Sequence, residues 1–405
     1  MSKHYIFFTR NVLPQPNAAH LVQVTHSANA AANLGYSTVL VYLRKGAEAV
    51  NPGEWLYPFR LKSPNQELAK FYNLQEKLKV APLPVPWPFD VWGNKWTNSS
   101  TLVSKFYFPL HILPRTKIVH SRDWNFVKAA IQHGVPAIYE HHHHEHKQFE
   151  PEIVHSPLFQ IAVTVADTIR DSMIQHGMPP EKVIQLHNGI NRLFLIRQPE
   201  QAETWRKQLL KDERQHLVVY AGALHPFKGI DLLMDVAQAL PQIQFALAGG
   251  DASQVQHYQQ LAKAKQVENM TFLGYLLQDQ LASLLQAADV LAHPHCSGAA
   301  ATFTSPLKLF DYLASGTPIV ATEISSLRKF KPLNLISGWC EPDHPIKFAE
   351  SIQQVIANFP RKVEGYGDSL DLSQFSWENR ITKILSYVDE SMRPAIIDPN
   401  SLTPV

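Results

Sequence analysis

Leu217-Val-Val-Tyr-Ala-Gly-Ala-Leu-His-Pro-Phe-Lys-Gly-Ile230 passes from a short run of strand character, Leu217–Ala221, through a polar turn into the helical spacing of Ile230–Leu240. A strand feeding a helix in this way is the repeating unit of a parallel α/β sheet. Gly222 lets the backbone come close to a ligand at the strand's carboxyl end. Lys228 and Gly229 stand at the start of the helix, where free N–H groups and the helix dipole favour a phosphate. A tight turn carrying a solvated lysine would read the same way on this segment alone.

The rhythm extends outward in both directions. Downstream, strands at Gln244–Ala248, Thr271–Leu273, Val290–Ala292 and Ile319–Ala321 alternate with helices near Val255–Gln266, Gln278–Ala287 and Leu307–Ala314. Upstream, Tyr5–Thr9, Val39–Leu43, Ile118–His120, Ala137–Glu140, Ile161–Val165 and Val183–His187 read as strands. They come with helices at Ala18–Leu34, closed by Gly35, and Asp123–His133, stopped by Gly134. The spacing predicts two α/β halves. The polar stretch Arg192–Arg214 reads as the linker between them and the entry to the second half. Residues 51–114, rich in proline and carrying Trp55, Trp87, Trp92 and Trp96, break the pattern and read as a loop-rich insertion or a helix pair with long connections. Trp377–Asp389 has helical spacing, and the chain beyond Ser391 reads as a frayed tail.

Composition narrows the function. The 405 residues, 45% of them hydrophobic, suffice for two or three ordinary cores. Lys and Arg number 37 against 35 Asp and Glu, a net charge of +2, so no global field argues for nucleic acid. An anionic ligand must be held by local groups. Two cysteines cannot build a disulfide framework, the N-terminus lacks the apolar run of a signal peptide, and no segment reaches the roughly eighteen apolar residues of a spanning helix. The expectation is a cytoplasmic protein, with membrane contact, if any, limited to peripheral association with the inner face.

A second segment with chemistry is Ser305-Pro-Leu-Lys-Leu-Phe-Asp-Tyr-Leu-Ala-Ser-Gly-Thr-Pro-Ile-Val-Ala-Thr322. Ser305 can cap the helix and Pro306 suits its first position, leaving the N–H groups at Leu307 and Lys308 for an anion. Lys308 and Asp311 are neighbours on one helical face, and a carboxylate there can accept both hydroxyls of a ribose. A surface ion pair of small value is the other reading.

Taken in order, these two segments, Ala248-Gly-Gly-Asp251, Phe272-Leu-Gly274, Ala288-Asp-Val290 and the upstream Val183-Ile-Gln-Leu-His-Asn-Gly-Ile-Asn191 resemble the retaining glycosyltransferases of family 4. Phe375-Ser-Trp377 is similar to the start of that family's crossing C-terminal helix. The resemblance covers most of the chain and is strongest from about residue 160 to 325. It implies the GT-B fold: two Rossmann-like parallel-sheet domains facing a central cleft, an acceptor domain over 1–194, a nucleotide-sugar donor domain over 195–375, and a crossing helix and tail over 376–405.

The resemblance also implies transfer of a sugar from a nucleotide-diphosphate donor to a saccharide or lipid-linked acceptor, with retention of configuration, in glycan or polysaccharide assembly. Lys228 would neutralise the leaving diphosphate. Gly222, Gly229, Gly249, Ser305 and the amides at Leu307 and Lys308 would cradle it, and Asp311 would hold the ribose. Such charge development is stabilised by fixed cations and amides, so no metal or other cofactor is expected. Asn17, His141, Asn188 and Phe303 are further substrate-side candidates. The chain departs from the family at Ala223, where an arginine is common, at Phe303, eight positions before Asp311 where a first glutamate is usual, and at Pro14-Gln-Pro-Asn-Ala-Ala-His20, which replaces a glycine-rich loop. Lys308 would then supply the missing phosphate cation.

The strand Ala137–Glu140 runs into His141-His-His-His-Glu-His146. By the Tyr-Glu-x-His spacing of the resemblance, His142 takes the place of a catalytic histidine near acceptor and donor sugar, with His141 beside it because one residue of slip swaps faces. A zinc site from His142, His144 and His146, and a solvated polar turn, are alternatives. The Trp-rich Val85–Trp96 would either line an acceptor groove or pack on its own domain. Two readings of other kinds compete with transfer: a catalytically silent sugar-nucleotide-binding protein, and a GT-B-like nucleotide-sugar epimerase. The sequence fixes no oligomeric state.

Overall fold

The computed structural model describes residues 3–16, 18–44, 54, 56–75, 77–84, 99–303, 307–366 and 372–397. The chain folds as two compact units. One holds Met1–His187 with Trp377–Val405, and the other holds Asn188–Ser376.

The first unit is built on seven strands: β1 (His4–Val12), β2 (Thr38–Arg44), β3 (Lys79–Pro84), β4 (Thr116–Ser121), β5 (Ala137–Glu140), β6 (Phe159–Thr164) and β7 (Val183–Gln185). They lie in the order β3-β2-β1-β4-β5-β6-β7, all parallel. Helices cover both faces, so the central strands are apolar on both sides rather than alternating. Tyr5, Ile6, Phe7 and Phe8 of β1 are all fully buried, a run that secures the centre of the sheet.

The second unit has six parallel strands: β8 (His216–Ala221), β9 (Ile243–Ala248), β10 (Met270–Gly274), β11 (Val290–His293), β12 (Ile319–Thr322) and β13 (Gly338–Cys340), in the order β10-β9-β8-β11-β12-β13. In each sheet the strand order reverses beside the central strand, between β1 and β4 in one and between β8 and β11 in the other. Open α/β sheets bind ligands at such points, outside the carboxyl ends of the strands.

Two expectations from the sequence are corrected. The stretch 51–114 does not stand outside the sheet rhythm: β3 lies within it, paired in parallel with β2 from Val39–Lys79 to Arg44–Pro84. Pro82 and Pro84 disguised it, and they are tolerated because β3 is the edge strand. Nor is Arg192–Arg214 a linker, although it does enter the second unit. It forms a 3-10 turn, Arg192–Leu195, and a helix, Pro199–Leu209, both part of the second unit. The helix is fastened by Trp205 Nε1 donating to Ser283 Oγ (3.1 Å) and by Arg206 pairing with Asp289 (2.7 Å). The first division of the chain therefore falls at His187/Asn188, not at 194, and the second at Ser376/Trp377. Among the described residues no helix is long and apolar enough to cross a membrane.

Candidate functional site

In the second unit, chemistry gathers at the carboxyl ends of β8, β9 and β11. The chain leaves β8 through Gly222, at φ +143°, and the turn Pro226–Lys228 ends at Gly229, at φ +79°. A Cβ on Gly229 would lie 1.8 Å from the Pro294 carbonyl oxygen, so the turn can approach the end of β11 only as glycine. Gly249, leaving β9 at φ +121°, is pressed against the Gly222 backbone, where a Cβ would meet the Gly222 oxygen at 2.1 Å. The two glycine turns are therefore in backbone contact.

Helix Leu307–Ser315 reaches the same place. Its Tyr312 hydroxyl accepts from the Ala221 amide (2.7 Å) and donates to the Ala292 carbonyl (3.3 Å), bolting the helix to the ends of β8 and β11. This sets the Lys308 side chain along Gly222, with its Nζ 4.0 Å from the centre of the Tyr220 ring. Lys228 Nζ lies 3.3 Å from His295 Nε2, and the His293 and His295 rings are stacked, their centroids 6.0 Å apart.

The structure thus brings Gly222, Lys228, Gly229, Gly249 and Lys308 to one end of one sheet, and Leu307 and Asp311 lie on the same helix as Lys308. Ser305 lies outside the described residues, as does the side chain of Phe303. Asn188 is buried at the start of this unit.

The electrostatics are lopsided. Burial lowers the Lys228 ammonium to about 8, and burial together with the Lys228 charge holds Lys308 well below the usual lysine range. Burial and the two lysines push His295 down to about 3 and keep His293 neutral. Lys308 Nζ is shielded from solvent and has no hydrogen-bond acceptor among the described residues. Burial pushes the Asp311 carboxyl up to about 7. Two cations with no paired carboxylate among the described residues, beside glycine turns at the switch point, make a receptor for an anion. His293 and His295 were not singled out from the sequence, although their place at the end of β11 was a usable signal.

The first unit carries its own polar centre. Glu140, buried at the end of β5, accepts from His120 Nε2 (2.9 Å), His142 Nε2 (2.7 Å) and Arg380 (2.6 and 3.4 Å). Tyr5 Oη lies 2.9 Å from His120 Nδ1, and Arg122 donates to His142 Nδ1 (3.0 Å). Burial alone would raise Glu140, but Arg380 and the two imidazoles outweigh it and hold the carboxyl well below its ordinary range.

His142, expected near the acceptor and the donor sugar, stands in this buried network. Its Nε2 lies 2.7 Å from Glu140 and its Nδ1 accepts from Arg122. Burial and Arg122 lower its pKa to about 3, so it is neutral. Its neighbours face the other way: His141 and His143 line a cavity of about 930 Å³ that also touches Arg10, His20, Arg122 and Trp124, and His142 does not line it. Strand-like alternation after β5 explains the exchange of faces. Glu140 and Arg380, which hold this network together, were not flagged as functional from sequence. Asn17 and Val85–Trp96 lie outside the described residues, and among those described no cluster of His, Cys, Asp or Glu has metal-site geometry.

Comparison with known proteins agrees with this layout. Residues 215–358 match the family model for glycosyl transferases group 1. The D-inositol 3-phosphate glycosyltransferase of Corynebacterium diphtheriae is 25% identical over 249 residues, 57% of this chain and 56% of that protein. The enzyme of the same name from Mycobacterium bovis is 26% identical over 257 residues, 60% of this chain and 50% of the relative. The match thus spans about half the length of these curated relatives. Among solved structures, sucrose-phosphate synthase from Thermosynechococcus elongatus superposes with a TM-score of 0.69 at 14% identity, covering 95% of this chain and 98% of that one. Anabaena HepE in complex with UDP-glucose gives 0.65 at 16%, covering 95% and 100%. At these identities the structural likeness shows the fold alone, and that fold is GT-B.

Proposed function

We propose that this chain, whose residues 215–358 match the family model for glycosyl transferases group 1, moves a sugar from a nucleotide-diphosphate donor to a saccharide or lipid-linked acceptor, with retention of anomeric configuration. The observation that carries the reading is the pair of lysines, Lys228, half-buried, and Lys308, with its Nζ shielded, set beside the glycine turns at Gly222 and Gly229 with no carboxylate in salt-bridge distance among the described residues. A diphosphate fills that need. Its oxygens would take hydrogen bonds from both lysines and from the amides at Leu307 and Lys308, while Asp311 would accept from the ribose hydroxyls.

In the reaction the bond from the anomeric carbon to the diphosphate oxygen breaks and a bond to the acceptor hydroxyl forms. The hydroxyl proton leaves with the diphosphate. Negative charge grows on the leaving oxygens, and cations already fixed at that place stabilise it without reorganising. This supports a reaction with no obligatory divalent ion. UDP sugars are the first donors to try, because HepE has been crystallised with UDP-glucose. The fold and the absence of a spanning helix among the described residues are compatible with work in the cytoplasm, at or near a membrane face.

Calorimetric titration of the full chain with UDP, GDP and ADP sugars tests the reading. One family of donors should bind in the micromolar to millimolar range, and Lys228→Ala should weaken it at least roughly tenfold. Failure of all donors to bind would remove the basis for transferase activity. Binding with no turnover in any acceptor extract would favour a silent sugar-nucleotide-binding protein instead.

A further inference from the structure

The cavity of the first unit opens at the carboxyl ends of three adjacent strands: Arg10 comes from the end of β1, Arg122 directly follows β4, and the His141–Lys147 segment follows β5. It is the switch point of this sheet, and nothing in the donor chemistry of the second unit uses it. We propose that the acceptor carries an anionic oxyacid group, phosphate or carboxylate, that docks in this cavity against Arg10, Arg122 and Lys147. The inference rests on the transferase reading for the word acceptor, but not for the site itself.

The argument is one of uncompensated charge. Four basic side chains, Arg10, Arg122, Lys128 and Lys147, line the cavity against three carboxylates, an excess of one positive charge, and only Glu150 among the carboxylates is paired with a lysine or arginine there. Asp123 caps a helix, accepting from the Phe126 amide (3.0 Å) and from Ser100 Oγ (2.7 Å). Glu150 accepts from Lys128 (2.6 Å) and Trp124 Nε1 (2.8 Å). Glu145 accepts from the amides of His146 and Lys147 and lies 3.7 Å from His141. Arg122 faces uncharged partners, His142 Nδ1 (3.0 Å) and Gln23 Oε1 (3.5 Å), while the nearby Glu140 is already paired with Arg380.

Arg10 and Lys147 are exposed side chains with no carboxylate within salt-bridge distance among the described residues. The imidazole of His20, on the same wall, is pushed down to about 4 by burial and then by Arg122, His143 and Arg10, which shows how closely these cations crowd. The chain as a whole is nearly neutral, at +2, so this excess is local. A neutral polyol would need no such excess, whereas an oxyanion would relieve it. The volume, about 930 Å³, leaves room for a sugar or polyol body beside the charged group.

The test is titration of the full chain with inorganic phosphate and, separately, with acetate at low ionic strength. Companion proteins are Arg10→Gln/Lys147→Gln, the charge-preserving Arg10→Lys/Lys147→Arg, and Lys228→Ala to mark any binding in the second unit. The expected result is a saturable event weakened roughly tenfold in the double glutamine variant, kept in the charge-preserving one and kept in Lys228→Ala. Tighter phosphate assigns a phosphate-bearing acceptor, and tighter acetate a carboxylate-bearing one. Absence of saturation by either anion, or saturation indifferent to the double glutamine change, overturns the proposal. A loss of nucleotide-sugar binding with this event intact would instead remove the transferase reading and leave the anion site standing.

Discussion

The Lys308 ammonium stands 4.0 Å from the centre of the Tyr220 ring, and no described side chain or carbonyl offers it a hydrogen bond. A ring face is a partial substitute for water, of the order of 2 kcal/mol when desolvated. Removing an ammonium from water takes several kcal/mol. The side chain is therefore held in a place that suits a ligand better than it suits the free protein.

Lys308→Met should reveal that conflict. The thioether fills the same space without a charge, so stability against urea should rise by about 1 kcal/mol. Affinity for UDP should fall by roughly tenfold or more. Chemical denaturation and calorimetry on the same preparation measure both, and loss of stability together with unchanged affinity would contradict the assignment.

Lys228 predicts a pH limb. Its ammonium titrates at about 8 in the free protein, and a bound diphosphate would raise that value. Below 8 Lys228 is already protonated and adds no slope. Above 8 a proton must be taken up on binding, so affinity should fall as pH rises, by up to tenfold per unit until the pKa of the complex is reached. In Lys228→Ala the part of the slope that begins near 8 should vanish.

Gly249 is a structural test of the donor end. An alanine there would put its Cβ 2.1 Å from the Gly222 carbonyl oxygen, at a φ of +121° that L residues rarely adopt. Backbone meets backbone, so no side chain can yield. Gly249→Ala should destabilise the second unit by about 3 kcal/mol or more and weaken nucleotide binding. Gly134→Ala, with no neighbour within 4 Å of its Cβ, is the control that carries positive φ without the collision.

What could be read in the sequence follows from range. β5, over Ala137–Glu140, and the helix Gln278–Ala287 fall where the periodicity puts them, because their signals are local runs of apolar spacing. β3 was hidden because Pro82 and Pro84 argue against a strand unless it is known to lie at an edge, which is a property of the whole sheet. The meeting of Gly222 with Lys308 was foreseeable from two phosphate-type turns. By contrast, Arg380 and the buried bond from His142 to Glu140 were overlooked, because both depend on Glu140, a partner 240 residues from Arg380 in the chain. No spacing rule encodes which imidazole face turns inward.

That long-range pair gives the last prediction. Arg380, from the C-terminal helix Trp377–Ser386, and Glu140 are both almost wholly shielded from water, with Arg380 also donating to the His187 carbonyl (2.9 Å). Breaking a buried pair from one side leaves the other charge stranded, so Arg380→Met should cost about 3–5 kcal/mol at pH 7. Adding Glu140→Gln should recover a substantial part, because the stranded charge is gone while an amide can still bond both imidazoles. The sign of the pH effect separates this from simple loss of packing. In the wild type the Glu140 pKa is depressed, so its stabilisation is present above the unfolded value near 4.5 and is lost as pH falls toward the folded value. In Arg380→Met the guanidinium no longer holds the carboxyl down and burial raises it, so acidification relieves the stranded charge. The stability gap between the two proteins should therefore narrow from pH 6 to about pH 4 in urea titrations. A gap that stays constant across that range would mean that Arg380 acts through its packing and not through its charge on Glu140.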